Sequence, residues 1–348
     1  ASGMFPIASA AGDYGDELIA RYDDLSRGQL PVPSVRTLLP QVLLAGQDAG
    51  TLSASGAALL DPSGALQPGV PVCPPEGDAG TGMVATDSVA PRTANVSAGT
   101  SIFAMVVLER PLAEVHHELD LVTTPAGDPV AMVHCNNGAS ELAAWVGMFT
   151  RFAAASGQSL TTDQVFEVLF REALAADADA GGLLAYNYLA GEPLTGLAEG
   201  RPLFVRTPES DFTLANVMRA QLYGVFGTLA LGMKVLESEG VALERMFAHG
   251  GIFRTAGVAQ RLLAGALNAP VAVAETASEG GAWGIAVLAA YAASDAATPL
   301  GSYLHDVVFR DAAISTVAAD PADVAGFAAY LDRYRAGLVV EAAAVSAL

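Results

Sequence analysis

Apolar residues recur along this chain at two spacings, and the change from one to the other organises it. From residue 93 to residue 134 the period is that of strands. Ala94-Asn95-Val96-Ser97 leads into a tight turn at Ala98-Gly99-Thr100, and Ser101–Val107 leads out. A second predicted hairpin pairs Leu119–Thr123 with Val130–His134 across the turn Pro125-Ala126-Gly127-Asp128. The spacing then becomes helical over Leu142–Phe152. Thr161 with Gln164 forms the pattern of a capping box, which predicts a helix to about Ala175. A long apolar helix is predicted over Leu214–Glu237, stopped by Gly240. Strands at Met246–His249 and Val271–Val273 alternate with helices at Val258–Leu267, which Asn268 stops, and Gly281–Ala293. Tyr186-Asn187-Tyr188 reads as a strand with an aromatic face, and Trp145 and Trp283 read as core. Before residue 75 the pattern is short and broken. Glu17–Tyr22 predicts a helix, Val35–Ala45 an extended segment carrying Pro40, and Pro68–Pro74 an extended segment ending in a turn. Hairpins followed by alternating strands and helices predict an α/β fold.

Composition narrows this picture. A chain of 348 residues fits two domains or one large α/β domain, and 52% hydrophobic residues supply a sizeable core. Acids outnumber bases 37 to 17, for a net charge of −20, which argues against a nucleic-acid groove and against an anionic membrane surface. Lys234 is the single lysine, and it lies between Met233 and Val235, so a Walker A loop is excluded. Mean hydropathy is +0.40. The longest apolar runs still fall short of the ~20 residues of a spanning helix. No basic stretch precedes an apolar run at the start, so a secretory leader is not expected there. Cys73 and Cys135 are expected to be reduced thiols of a cytoplasmic protein.

Three glycine-bearing turns are expected at strand ends, where open α/β sheets bind ligands. The first is Glu76-Gly77-Asp78-Ala79-Gly80-Thr81-Gly82, in which Asp78 stands beside glycines that let other groups approach; an ordinary Asx turn is the plain alternative. The second is Ser97-Ala98-Gly99-Thr100-Ser101, whose backbone amides could cradle a phosphate without any lysine; a plain hairpin turn is its alternative. The third is His249-Gly250-Gly251-Ile252, between a strand and a helix, suited to a nucleotide passing over bare backbone. His116-His117 beside Glu118 and Asp120 reads as a solvated turn before it reads as a metal site. Ser, His and Asp are all present, but no GxSxG elbow exists.

In series, Gly77-Asp78, Asn95–Ser101 and Gly250-Gly251 resemble the FGGY family of carbohydrate kinases, with further support from Glu275–Ala282 and from the tail Val317–Leu348, which is similar to the pentulose-kinase-like members. The resemblance implies a ribonuclease H-like, actin-like ATPase fold, with residues 1–90 the end of a first, sugar-binding domain and 91–348 a complete second, nucleotide-binding domain. It implies ATP and Mg²⁺, and transfer of the γ-phosphate to a hydroxyl of a sugar, a ketopentose such as xylulose or ribulose. Asp78 matches the catalytic aspartate and would also meet Mg²⁺ through water; Ala79 replaces the usual glutamine. Ser97, Ala98, Gly99, Thr100 and Ser101 match the second phosphate loop. Gly250 and Gly251 match the adenosine-binding glycines, and Glu279 and Gly280 lie near the adenine-proximal helix. Ala1-Ser2-Gly3 matches a segment late in the first domain, so most of that domain, with the first phosphate loop and most sugar contacts, is expected to lie outside this chain. Uncovered apolar surface makes a homodimer an expectation too. The rival reading is a non-catalytic nucleotide- or sugar-binding regulator of the same fold.

Overall fold

The computed structural model describes residue 3 and residues 5–29, 31–274, 280–294 and 298–348. The chain opens with a small ribbon, β1 (Ile7–Ala8) and β2 (Asp13–Tyr14), followed by α1 (Asp16–Leu25), α2 (Ala54–Leu60) and α3 (Asp78–Val84). Four strands come next: β3 (Thr93–Ala98), β4 (Ile102–Val107), β5 (Asp120–Thr123) and β6 (Pro129–Cys135). Then come α4 (Ser140–Ala155) and α5 (Thr162–Glu172), the ribbon β7 (Leu184–Tyr186) with β8 (Leu203–Val205), and the long α6 (Leu214–Ser238). The remainder alternates through β9 (Arg245–His249), α7 (Val258–Leu267), β10 (Val271–Ala274), α8 (Gly280–Ala292), α9 (Leu300–Tyr303), β11 (Ile314–Val317) and α10 (Pro321–Ala347).

The main sheet has the order β11-β10-β9-β3-β4-β6-β5. β3, β9 and β10 run parallel at its centre, while β4, β6 and β5 extend one side as antiparallel hairpins and β11 closes the other. The strand period decides which residue faces which layer. Ala94, Val96, Ala98, Ile102, Ala104 and Val106 enter one core with α6 and α7. Met105 and Val107 enter a second core, with Met83 and Val84 of α3 and Val287, Leu288 and Tyr291 of α8. On β3 this second face is interrupted by Asn95 and Ser97, so a polar strip runs under α3. A separate small cluster, Tyr14, Ile19 and Val35, serves the first forty residues.

Local chemistry sets most boundaries. The α5 capping box is complete, with Thr161 and Gln164 each bonding the other's backbone. Asn268 ends α7 in the left-handed region at φ 47. A buried carboxylate ties α10 to the helical layer: Asp323 meets the buried Arg219 of α6 at 3.2 Å and the part-exposed Arg261 of α7 at 2.6 Å.

Three expectations are corrected. The Glu76–Gly82 segment is not a turn at a strand end; Asp78–Val84 is helical, entered from extended chain. Glycine weakens a helix by about 1 kcal/mol per residue, yet Gly80 and Gly82 are buried here. At the crossing helix, a Cβ on Gly284 would collide with the Thr81 carbonyl, so close approach of α3 and α8 outweighs propensity. Val35–Ala45 is not extended throughout, because Ser34 caps a 3₁₀ turn at Val35–Thr37. Trp283 is not core: α8 buries one side only, and the indole is 40% exposed. Trp145 is half-buried against Phe204.

Candidate active site

Two of the glycine segments meet because their strands pair. Ser97 of β3 lies in register with His249 of β9. Beyond them Gly250 has φ +117, and a Cβ there would collide with the Ala98 carbonyl oxygen. Only glycine lets the two strand ends touch. Gly251 differs: it has ordinary φ, and a Cβ would meet nothing within 4 Å.

The third segment is joined through the polar strip. Asn95 is fully buried; its Nδ2 donates to Thr86 Oγ1 at 2.7 Å, and Thr86 Oγ1 donates to the Gly82 carbonyl at 2.8 Å. That fixes the amide orientation, so Asn95 Oδ1 accepts from His249 Nε2 at 3.2 Å and the proton of the neutral ring is assigned to Nε2. Burial holds the His249 imidazole below its ordinary 6.5. A Cβ on Gly82 would lie 3.5 Å from His249 Nε2, so α3 rests on this ring. Asp78, the first residue of α3, stands one helical turn before Gly82. It is exposed, and its Oδ1 accepts from the Ala79 amide at 2.9 Å.

The hairpin tip is organised by its hydrogen bonds. The Gly99 amide donates to the Ser101 carbonyl at 2.9 Å, and the Gly138 and Ala139 amides donate to the carbonyls of Thr100 and Gly99 at 2.8 Å each. All three tip carbonyls are thus occupied. The amides of Thr100 and Ser101 donate to no acceptor among the described residues. Two adjacent amides with no internal acceptor are what an anionic oxygen needs.

Beside the tip, Gly251 opens on a cavity of about 550 Å³. Its apolar lining includes Ala98, Leu142, Phe166, Phe170 and Ile252, and at the mouth stand Asp163, Glu167, Arg171 and Arg254. This shape and lining suit a flat heterocycle with a polar edge. Gly99 lines the same cavity, which connects it to the tip. Gly280 does not line it: a Cβ there would lie 3.7 Å from the His249 ring, on the α3 side. Glu279 lies outside the described residues. Sequence reading missed the aromatic wall of α5, the Asn136–Ala139 turn and the Asn95–His249 pair. The α5 capping box was the one available signal, since it places Phe166 and Phe170 one turn apart on a single face.

Elsewhere, the turn at His116 is more than a solvated turn, since the His116 and Glu239 side chains are only 19% and 9% exposed. His116 Nε2 pairs with Glu239 Oε1 at 2.6 Å. Among the described residues no group of three or more His, Cys, Asp or Glu side chains could hold a metal, and no helix is long and apolar enough to cross a membrane. Both cysteines are free thiols.

A central sheet of parallel and antiparallel strands, helices on both faces, and ligand-suited loops at the carboxyl ends of β3 and β9 define a ribonuclease H-like, actin-like ATPase fold. Residues 94–293 match the C-terminal domain of the FGGY family of carbohydrate kinases. The chain belongs to that family. Solved structures agree on the fold. A Brucella ovis structure described as a xyloylose kinase superposes with TM-score 0.69 at 23% identity, over 94% of this chain and 61% of its own. Xylulose kinase from Rhodospirillum rubrum gives 0.70 at 20% identity, over 95% and 61%. Gluconate kinase from Lactobacillus acidophilus gives 0.65 at 17% identity, over 85% and 56%. The present chain therefore spans about three fifths of the length of these relatives. No curated protein sequence matches it.

Proposed function

We propose that the intact protein transfers the γ-phosphoryl group of ATP to a hydroxyl of a sugar, a ketopentose such as xylulose or ribulose. The observation that carries this reading is a meeting at the carboxyl ends of the central strands β3 and β9. There an exposed carboxylate at a helix start, a hairpin tip with two unpaired amides, and an apolar cavity beside a bare glycine come together. Asp78 is the general base: it takes the proton of the sugar hydroxyl as that oxygen bonds to the γ-phosphorus. The bond from the γ-phosphorus to the bridging oxygen breaks, and ADP leaves with that electron pair. The Thr100 and Ser101 amides hold phosphate oxygens, and Gly251 admits adenosine against the α5 aromatics. Positioning and charge neutralisation are most of what such a reaction demands.

The residues present fit Mg²⁺ in the way that ion is usually held, by one or two carboxylates together with substrate phosphates rather than by a protein cage. Asp78, through water, is the side chain that would meet it. When bound, the ion neutralises phosphate charge.

We divide the chain into residues 1–90, the end of the sugar-binding domain, and 91–348, the nucleotide-binding domain. α3 falls in the first by sequence but packs on the second, so Asp78 stands at their junction, as a group acting on both substrates should. The reaction is assigned to the cytoplasm, where Cys73 and Cys135 stay reduced. The test is a coupled assay of ADP release by the intact protein with a panel of ketopentoses, pentitols and gluconate. Ketopentose-stimulated release is expected. ADP binding with no stimulation by any sugar would replace this reading with that of a non-catalytic regulator.

A further inference from the structure

Behind the hairpin tip lies a buried polar strut that the chemistry above leaves unused. The Asn136–Ala139 turn, between β6 and α4, holds the tip through the Gly138 and Ala139 amides. A Cβ on Gly138 would lie 2.5 Å from the Gly99 carbonyl oxygen, so turn and tip are in direct backbone contact. The turn is itself held by the segment that follows β7. Asn187 Nδ2 donates to the carbonyls of Asn137 at 3.0 Å and Gly138 at 2.6 Å. Asn137 Oδ1 accepts the amides of Leu189 and Ala190 at 2.9 Å each. Asn137 Nδ2 donates to Glu192 Oε2 at 3.1 Å, and the Asn137 amide donates to the same oxygen at 3.3 Å.

These groups are deeply buried, with Glu192 0%, Asn187 2% and Asn137 5% exposed. Asn187 Oδ1 and Glu192 Oε1 have no hydrogen-bond partner among the described residues. A buried polar group left half-paired costs stability, and apolar packing would hold a turn more cheaply. What a directional network adds is orientation. Here it fixes which way the peptide groups of the turn point, and through them the tip.

We propose that Asn187 and Glu192 are positioning residues for phosphoryl transfer. Acting through the 136–139 turn, they keep the Gly99 and Thr100 carbonyls occupied from behind. That leaves the Thr100 and Ser101 amides to the nucleotide phosphates. The inference rests on the nucleotide reading of the site; neither side chain touches the nucleotide.

The experiment compares the parent chain with Asn187→Ser and Glu192→Gln, titrating each with Mg²⁺-ADP and with adenosine by calorimetry. Adenosine carries no phosphate, so it reports the cavity alone. In both variants ADP should weaken about tenfold, the scale of one charge-assisted hydrogen bond, while adenosine stays within about twofold of the parent. A merely structural strut would weaken both ligands together, and that result overturns the proposal. So does unchanged ADP affinity in a folded variant. A parent that binds neither ligand overturns the nucleotide reading and the strut with it; a parent that binds both beside indifferent variants overturns the strut alone. Should Asn187→Ser fail to fold, hydrogen exchange on the parent decides. The Gly138 and Ala139 amides should exchange slowly without ligand, and those of Thr100 and Ser101 should become protected by ADP but not by adenosine. Fast exchange at Gly138, or no ADP protection at Thr100, overturns the proposal.

Discussion

Gly250 and Gly251 are neighbours in sequence, yet the structure gives them opposite duties. Gly250 has φ +117, and its missing side chain makes room for the Ala98 carbonyl. An alanine there incurs backbone strain of about 1–3 kcal/mol, and overpacking against β3 adds a further loss of about 1–3 kcal/mol. For a chain of 348 residues each kcal/mol shifts Tm by roughly 1–2 °C, so Gly250→Ala should melt about 3–8 °C below the parent. Gly251 has ordinary φ and open space around it. Gly251→Val should therefore hold its Tm or gain a little, because a side chain restricts the unfolded chain by about 0.4–1 kcal/mol. Its cost falls on the ligand, since the isopropyl group projects where the 550 Å³ cavity begins. ADP affinity should drop about tenfold, or about 1.4 kcal/mol. Differential scanning fluorimetry and calorimetric titration on both variants check the pair. If Gly251→Val binds ADP as the parent does, the cavity is not the adenosine site. If Gly250→Ala melts like the parent, the account of the strand-end contact is wrong.

Three further outcomes follow from the same geometry. Asp78→Asn in the intact protein should lower kcat by at least ~10²-fold with ADP affinity little changed, and near-normal turnover in a steady-state assay would remove Asp78 as the base. Because burial keeps folded His249 below 6.5, the unfolded chain takes the proton first as pH falls through 6.5. Stability from this group is thus full above 6.5 and declines on acidification until the folded ring titrates; urea unfolding across this range should show a shallower decline for His249→Asn than for the parent. Asp323→Ala leaves Arg219, 2% exposed, without its carboxylate, and should cost about 3–5 kcal/mol of unfolding free energy; a loss under about 1 kcal/mol would show that α10 is held by its aromatic packing alone.

The periodic parts of this fold were legible in the sequence. The two hairpins read correctly because their apolar residues alternate and their turns carry Gly or Pro-Ala-Gly-Asp. The boundaries of α7 matched, and α5 fell within its predicted span with its capping box intact, because each carries its own start or stop signal. α3 was misread because the reasons for its glycines lie elsewhere in the chain, in the approach of Gly284 and in the His249 ring. The exposure of Trp283 depends likewise on which side of α8 meets α3. Within the site, Asp78, Thr100 and Gly251 belonged to recognisable glycine segments. Asn187 did not stand out: between two buried tyrosines it reads as a filler of the strand pattern. Its role appears only when the 136–139 turn is seen against the β3–β4 tip.

A chain with net charge −20 and a single lysine is an unlikely host for a polyphosphate if the balance of charges is what matters. Screening makes that balance a poor guide, because exposed charges more than ~10 Å away are largely damped at 0.1 M salt. On the proposed reading, a phosphate at the β3–β4 tip meets groups within one hydrogen bond of it, and those groups are amides whose partial positive charge cannot titrate away. Backbone amides do this only if their carbonyls are occupied elsewhere; otherwise the peptide groups can turn and present oxygen instead. In this tip the Gly99, Thr100 and Ser101 carbonyls are each occupied, two of them by a turn braced from the segment after β7. On the proposed reading, stiffness of the buried polar layer does the work of the P-loop lysine that the sequence lacks. Asn95 and Glu192, both 0% exposed, belong to this layer behind the glycine segments.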